Sequence, residues 1–371
     1  MSTTSVFRTL TNPTSVQIPK SVEVFLKELA EPTLIRLDGE DDSRCRFIVT
    51  LLHGNEPSGL KAIHQLLREG IKPRVTTLIA IVSVAAALAE PLFGHRFLPD
   101  QQDMNRLFAP PFEAGQGELA RSLLELIREL QPEAVVDIHN TSGDGPAFGV
   151  CISEHQCFLE LAALFTHRLV ITDIRLGALM EVENLGCPVL TVECGGATQL
   201  LSDHVAMEGL RRYLLAEDLA RPELGEESTP PEIDIYHHPV RLELVAGGTL
   251  CYGDEFCPEV DITLPLHIDR RNFGVARPDS PIAWLGERGL GALRVVDARG
   301  NNVIEEYFLE RQGKLYPATT LKLFMVTTTP RIAITDCLFY AVKEAYHLHQ
   351  EAPLDDCWPV PGDADGEFQP S

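Results

Sequence analysis

Between residues 45 and 220, short continuous apolar runs take turns with stretches whose apolar side chains recur every three or four positions. The runs at 47–52 (FIVTLL), 77–84, 134–138 (AVVDI) and 188–192 read as strands buried on both faces. The periodic stretches predict helices over 58–69, 119–130, 159–169 and 204–219. This alternation predicts a mainly parallel sheet with helices on both faces, and in such sheets ligands bind beyond the carboxyl ends of the strands. Residues 1–40 are weakly patterned, and 91–116, rich in Pro, Gly and Gln, read as loop.

The texture changes after 221–234 (RPELGEESTPPEID), a charged, Pro-rich stretch that reads as a linker. Beyond it, RLELVA, DITLPLHI, ALRVVDA and TLKLFMVTTT alternate or carry β-branched residues, which predicts a smaller, mainly antiparallel β domain. Its end reads as a helix over 334–348, followed by an acidic tail at 351–371 that reads as disordered. The expected division is a catalytic α/β domain over 1–225, a β-rich domain over 233–350 that caps the site, and the tail.

Composition narrows the class. The 371 residues carry 31 Lys+Arg against 54 Asp+Glu, and the net charge of −23 repels nucleic acid and anionic membrane surfaces. No apolar run reaches the roughly 20 residues of a membrane span. The first residues lack the apolar core of a secretory signal. Nine cysteines, odd in number and without paired spacing, predict reduced thiols in the cytoplasm.

Three of the predicted strands run into polar clusters: His53-Gly54-Asn55-Glu56, His139-Asn140-Thr141 and Glu193-Cys194-Gly195-Gly196. His53 and Glu56 form H-x-x-E; the 12 His and 54 acids predict about 1.7 His-to-acid pairs at that spacing by chance, and the chain has one. In a strand-to-helix turn these two side chains can converge, and His139 can join them from a neighbouring strand end. Two His and one Glu with an open fourth position make a catalytic zinc shell. A solvated turn with a helix-capping Glu is the plainer alternative. Glu193 could serve as general base and acid toward a metal-bound water, or be an ordinary strand-end acid. Asn105-Arg106 could grip a carboxylate, with Arg96 reaching the same pocket, or belong to a solvated loop. Cys194 points away from the face that Glu193 occupies and reads as a packed thiol.

HGNE, HRF followed by DMNRLF, VVDIHNTSG and VECGG occur in that order over about residues 45–200. On these motifs the chain resembles the succinylglutamate desuccinylase/aspartoacylase family of the zinc-carboxypeptidase-like superfamily. The resemblance implies a doubly wound mixed α/β sheet with helices on both faces, plus a smaller C-terminal mainly-β domain. It implies zinc held by His53, Glu56 and His139, with Glu193 as general acid/base. Arg96 matches the arginine that polarises the scissile carbonyl, and Asn105 and Arg106 match the pair that binds the substrate's carboxylate. Asp137 could orient a ligand. The expected activity is that of a zinc-dependent amidohydrolase, an N-acyl-amino-acid deacylase acting on a carbon–nitrogen bond other than a peptide bond. Its partner would be a small anionic N-acyl amino acid, with a homodimer left open.

The chain departs from that pattern in one place. Aspartoacylases carry a further substrate-binding arginine shortly before the catalytic Glu; here that position is Glu183, and the nearest upstream arginine is Arg175. This argues against N-acyl-aspartate and leaves succinylglutamate or another acyl-amino acid open. Tyr340 and Tyr316 are candidates for the family's C-terminal substrate tyrosine. A carboxypeptidase-type peptidase and a non-catalytic binding protein on the same scaffold are the alternatives.

Overall fold

A computed structural model describes residues 6–219 and 232–343. Nine strands form the main sheet: β1 (Arg8–Thr11), β2 (Thr33–Leu37), β3 (Asp41–Thr50), β4 (Val75–Ile81), β5 (Val135–Thr141), β6 (Phe148–Cys151), β7 (Arg168–Ile171), β8 (Val189–Gly196) and β9 (Asp234–His237). Their order is β1-β2-β4-β3-β5-β8-β6-β7-β9. The central run β4-β3-β5-β8 is parallel. Antiparallel pairings of β2 with β4 and of β6 with β8 make the whole sheet mixed.

Alternation along β3 explains why helices cover both faces. Ile48 belongs to the core shared with α1 (Val22–Leu29), α2 (Ser58–Glu69), α5 (Gln156–Ala163) and α6 (Leu200–Leu215). Phe47 and Val49 point the other way, into the core shared with α4 (Gln116–Leu130). A short helix, α3 (Val84–Leu88), follows β4.

Several predicted bounds shift. The weakly patterned first 40 residues contain β1, α1 and β2. The helix expected over 159–169 ends at Ala163, and the β-branched run that follows is β7. The helix expected over 334–348 is replaced by a helical turn at Pro330–Thr335 and a strand at Phe339–Lys343. Phe339, Tyr340, Ala341 and Val342 are all buried, so this strand lacks the alternation that marks a half-exposed one. It pairs antiparallel with both Val240–Leu244 and Leu321–Phe324. Residues 344–348, the acidic tail and most of the linker lie outside the described residues.

The C-terminal segment builds two five-stranded sheets with mainly antiparallel pairing. It is tied to the main sheet twice. β9 runs parallel to β7 as the edge strand. An apolar cluster holding Phe148 and Val170 of the main sheet also holds Phe324 and Tyr340. Among the described residues no helix is long and apolar enough to cross a membrane.

Candidate metal centre and its cavity

The parallel strands β3, β5 and β8 deliver the three polar clusters to one end of the sheet. After β3 the chain turns sharply through His53–Glu56 into α2. Gly54 is required there: its amide donates to the Arg96 carbonyl at 2.9 Å, and a Cβ would stand 2.6 Å from the Ala86 backbone. Asn140 fastens the turn to its neighbours. Its Oδ1 accepts from the Ser58 amide at 3.0 Å, and its Nδ2 donates to the Ser58 hydroxyl at 2.9 Å and the Gly195 carbonyl at 3.0 Å.

His53, Glu56 and His139 meet, all buried, with one ligand atom from each within 4.8 Å of the others. The two Glu56 oxygens face one imidazole each, at 2.8 Å from His53 Nδ1 and 2.7 Å from His139 Nδ1. The opposite ring nitrogens are anchored by carboxylates: His53 Nε2 lies 2.8 Å from Asp103 Oδ1, and His139 Nε2 lies 2.8 Å from Asp137 Oδ2. Burial opposes charge on Glu56, Asp103 and His139, but the attraction of their partners outweighs it. That attraction holds the Glu56 and Asp103 carboxyls below the usual carboxylate range. It raises the His139 imidazole well above the ordinary histidine value, chiefly through Asp137 and Glu56.

Glu193 stands beside His139 in register across β5 and β8. It is buried, and its Oε2 has no hydrogen-bond partner. Burial, reinforced by the Glu56 charge and opposed by His139, pushes its carboxyl up to about 7. Cys194 lies in the core on the opposite face, and burial raises its thiol far above the usual range, as expected of a packed residue.

The long loop brings in the cations. Arg96 Nε donates to Asp103 Oδ2 at 2.9 Å, and its Nη1 lies 3.4 Å from Glu56 Oε1. Asn105 and Arg106 sit in a single helical turn at Met104–Arg106, where Asp103 caps the Asn105 amide at 2.9 Å. Arg106 Nη2 lies 3.6 Å from Asp336 Oδ2, a residue of the C-terminal segment. His53, Glu56, Arg96, Asn105, Arg106, His139 and Glu193 all line one cavity of about 990 Å³, its open mouth included. Tyr340 lines it too, whereas Tyr316, Arg175 and Glu183 do not. Asp103, Asn140 and Asp336 were not singled out from the sequence. Asp103 heads the DMNR run and Asn140 adjoins His139, so both carried a local signal, while Asp336 arrives from a distant segment with none.

Residues 47–214 match the family model for the succinylglutamate desuccinylase/aspartoacylase catalytic domain. The fold is similar to that of a succinylglutamate desuccinylase/aspartoacylase from Rhodobacter sphaeroides, with a TM-score of 0.56, 15% identity, and 85% of this chain and 89% of that one covered. A succinylglutamate desuccinylase from Vibrio parahaemolyticus gives 0.56 and 14%, covering 90% and 97%. Murine aminoacylase 3 gives 0.51 and 18%, covering 82% and 96%. A comparison with curated proteins gives no match. The order of motifs, the mixed sheet and the matched segment agree: residues 47–214 match the succinylglutamate desuccinylase/aspartoacylase catalytic domain, and the chain shares the fold of solved structures of that kind.

Proposed function

We propose that the protein is a zinc-dependent deacylase that hydrolyses the amide bond of a small N-acyl amino acid. The observation that carries this reading is the meeting, in one cavity, of the buried His53–Glu56–His139 group with an unpartnered oxygen of Glu193. The donor set fits a divalent ion. Each imidazole holds Nε2 against a carboxylate, which keeps the proton there and leaves the Nδ1 lone pair for a metal. Two imidazole nitrogens and a carboxylate suit zinc and leave a coordination position open. Zinc held there would lower the pKa of a water and polarise a carbonyl oxygen.

The chain's own residues supply positioning and proton transfer. Glu193 Oε2 has no competing partner, so it can accept a proton from the attacking water and return it to the leaving amine nitrogen. Arg96, fixed by Asp103, brings positive charge to the place where the carbonyl oxygen gains charge. Asn105 and Arg106 would hold the substrate's carboxylate and so orient the amide. Met325, Thr327, Asp336 and Tyr340 of the C-terminal segment wall part of the cavity, which favours a small substrate over a peptide chain. Cys157 is disulfide-bonded, which corrects the expectation of reduced thiols throughout; cytoplasmic residence is kept as part of this proposal on the seven free cysteines among the described residues.

The test is metal content of the full-length protein by elemental analysis, paired with amine release from a panel of N-acyl amino acids. About one zinc per chain with amine release is expected. No metal uptake after zinc is added, or no release from any member of the panel, would overturn the reading.

A further inference from the structure

The cavity lining is of two kinds. Around the candidate metal ligands it is polar. It also includes an apolar set, Val150, Val170, Ile174 and Leu176 of the α/β part and Phe324 and Met325 of the C-terminal segment. These six side chains belong to the apolar cluster that joins the main sheet to the C-terminal sheets. Four carboxylates line the cavity, on Glu56, Glu181, Glu193 and Asp336, against only two guanidinium groups among the described residues, on Arg96 and Arg106. Arg96 is engaged by Asp103 at 2.9 Å and by Glu56 at 3.4 Å, whereas Arg106 reaches Asp336 only at 3.6 Å, so Arg106 is the cation more open to a substrate carboxylate.

A second substrate carboxylate would meet no cation. Glu181 accepts from the Leu176 and Gly177 amides with both its oxygens engaged, and its charge would repel an anion. Arg175 lies away from the cavity, donating to the Thr172 carbonyl and standing 4.0 Å from an exposed Glu183. Burying an unpaired carboxylate against an apolar wall is costly, whereas an apolar group of the right size gains by the same burial.

Resting on the deacylase reading, we infer that the substrate is a monoanionic N-acyl amino acid that places an apolar group, from its side chain or its acyl chain, against the Val150–Val170–Phe324 wall. N-acyl-aspartates, with two carboxylates, and N-succinylglutamate, with three, are then poor substrates. The shared chemistry is one carboxylate for Arg106 and one apolar substituent for the wall.

The experiment measures kcat/KM on the zinc-supplemented full-length protein in two arms. One arm varies the side chain: N-acetylleucine and N-acetylphenylalanine against N-acetylaspartate. The other varies the acyl group: N-hexanoylglycine against N-succinylglycine, with N-succinylglutamate alongside. Calorimetric binding of the same compounds to Glu193→Gln gives a second readout, independent of turnover. An apolar preference of about tenfold or more in at least one arm is expected, and the arm that shows it names the group. Val150→Arg, which sets a cation in the wall, should cut that preference about tenfold with zinc content unchanged; Met325→Lys does the same from the C-terminal segment. A substrate with two or more carboxylates preferred in both arms would overturn this inference and leave the deacylase reading standing. Apolar compounds that bind but are never cleaved would do the reverse. Binding of neither class would overturn the inference as well.

Discussion

Asp137→Asn isolates what a buried carboxylate does for the candidate metal centre. Asp137 has no exposed surface; its Oδ2 lies 2.8 Å from His139 Nε2, and its Oδ1 has no partner. An asparagine fits the same space, with its carbonyl toward the imidazole and its NH₂ in the place of the unpartnered Oδ1. The hydrogen bond therefore survives and the charge is lost. A bond to a charged group contributes about 1.5–3 kcal/mol and a neutral one about 0.5–1.5, so the change costs about 1–1.5 kcal/mol, roughly tenfold in affinity. Asp137→Ala removes the bond altogether and should approach the roughly 100-fold upper range for ligand-orienting partners. The assay is zinc affinity by competition with a chromophoric chelator, with thermal melting to confirm the fold. The expected order is wild type, then Asn, then Ala. Unchanged zinc affinity in both variants, each well folded, would refute the claim that Asp137 orients His139.

Glu193→Gln should retain zinc and lose at least about a hundredfold in kcat, the range of one general acid–base group; near-wild-type turnover would remove Glu193 from the role. Glu193 must be deprotonated to act as base and sits at about 7, so kcat/KM should rise with pH along a limb at or below about 7, since a bound cation pulls it lower; a limb above pH 8 would contradict this. Because His139 is raised well above its ordinary value, it stays protonated near neutral pH without metal, so zinc binding should release a proton and tighten as pH rises; calorimetry in two buffers of different ionisation enthalpy reads that proton directly. Arg106→Ala should raise KM about 10–100-fold with a smaller effect on kcat, as expected for one lost charge-assisted bond to the substrate's carboxylate. Arg46 is wholly buried, bonded to Glu133 at 2.7 Å and to the Tyr213 and Ala216 carbonyls at 2.7 Å, so Arg46→Ala should cost about 3–5 kcal/mol in chemical denaturation with zinc affinity intact in the folded fraction.

The parts of the fold legible in the sequence are those where a local pattern decides the outcome. FIVTLL, AVVDI and the 58–69 periodicity specify β3, β5 and α2, because a strand buried on both faces and a one-sided helix leave distinct marks. The residues after those strands were legible for the same reason, since the end of a parallel strand is where chemistry gathers. The strand at Phe339–Lys343 was missed because buried aromatic and aliphatic neighbours carry no period, and only pairing with Val240–Leu244 and Leu321–Phe324 decides its form. Asp336 was missed for a related reason. Nothing near it in the chain reveals Arg106, which lies 230 positions earlier (336 − 106). Asp103 is an intermediate case: its neighbours in the DMNR run were read for the carboxylate they could hold, and its bonds to His53 and Arg96 exist only in the folded loop.

The edge position of β9 bears on how this protein could be cut, copied or rebuilt. A gene fragment that stopped within the linker would encode every candidate ligand and Glu193, yet it would leave β7 with a bare row of amides and carbonyls where Asp234–His237 now pairs. It would also uncover Phe148 and Val170, which now pack against Phe324 and Tyr340. A free, apolar sheet edge invites pairing between molecules. The α/β portion on its own is therefore a candidate for aggregation, and the C-terminal segment covers a vulnerable sheet edge as well as walling the cavity.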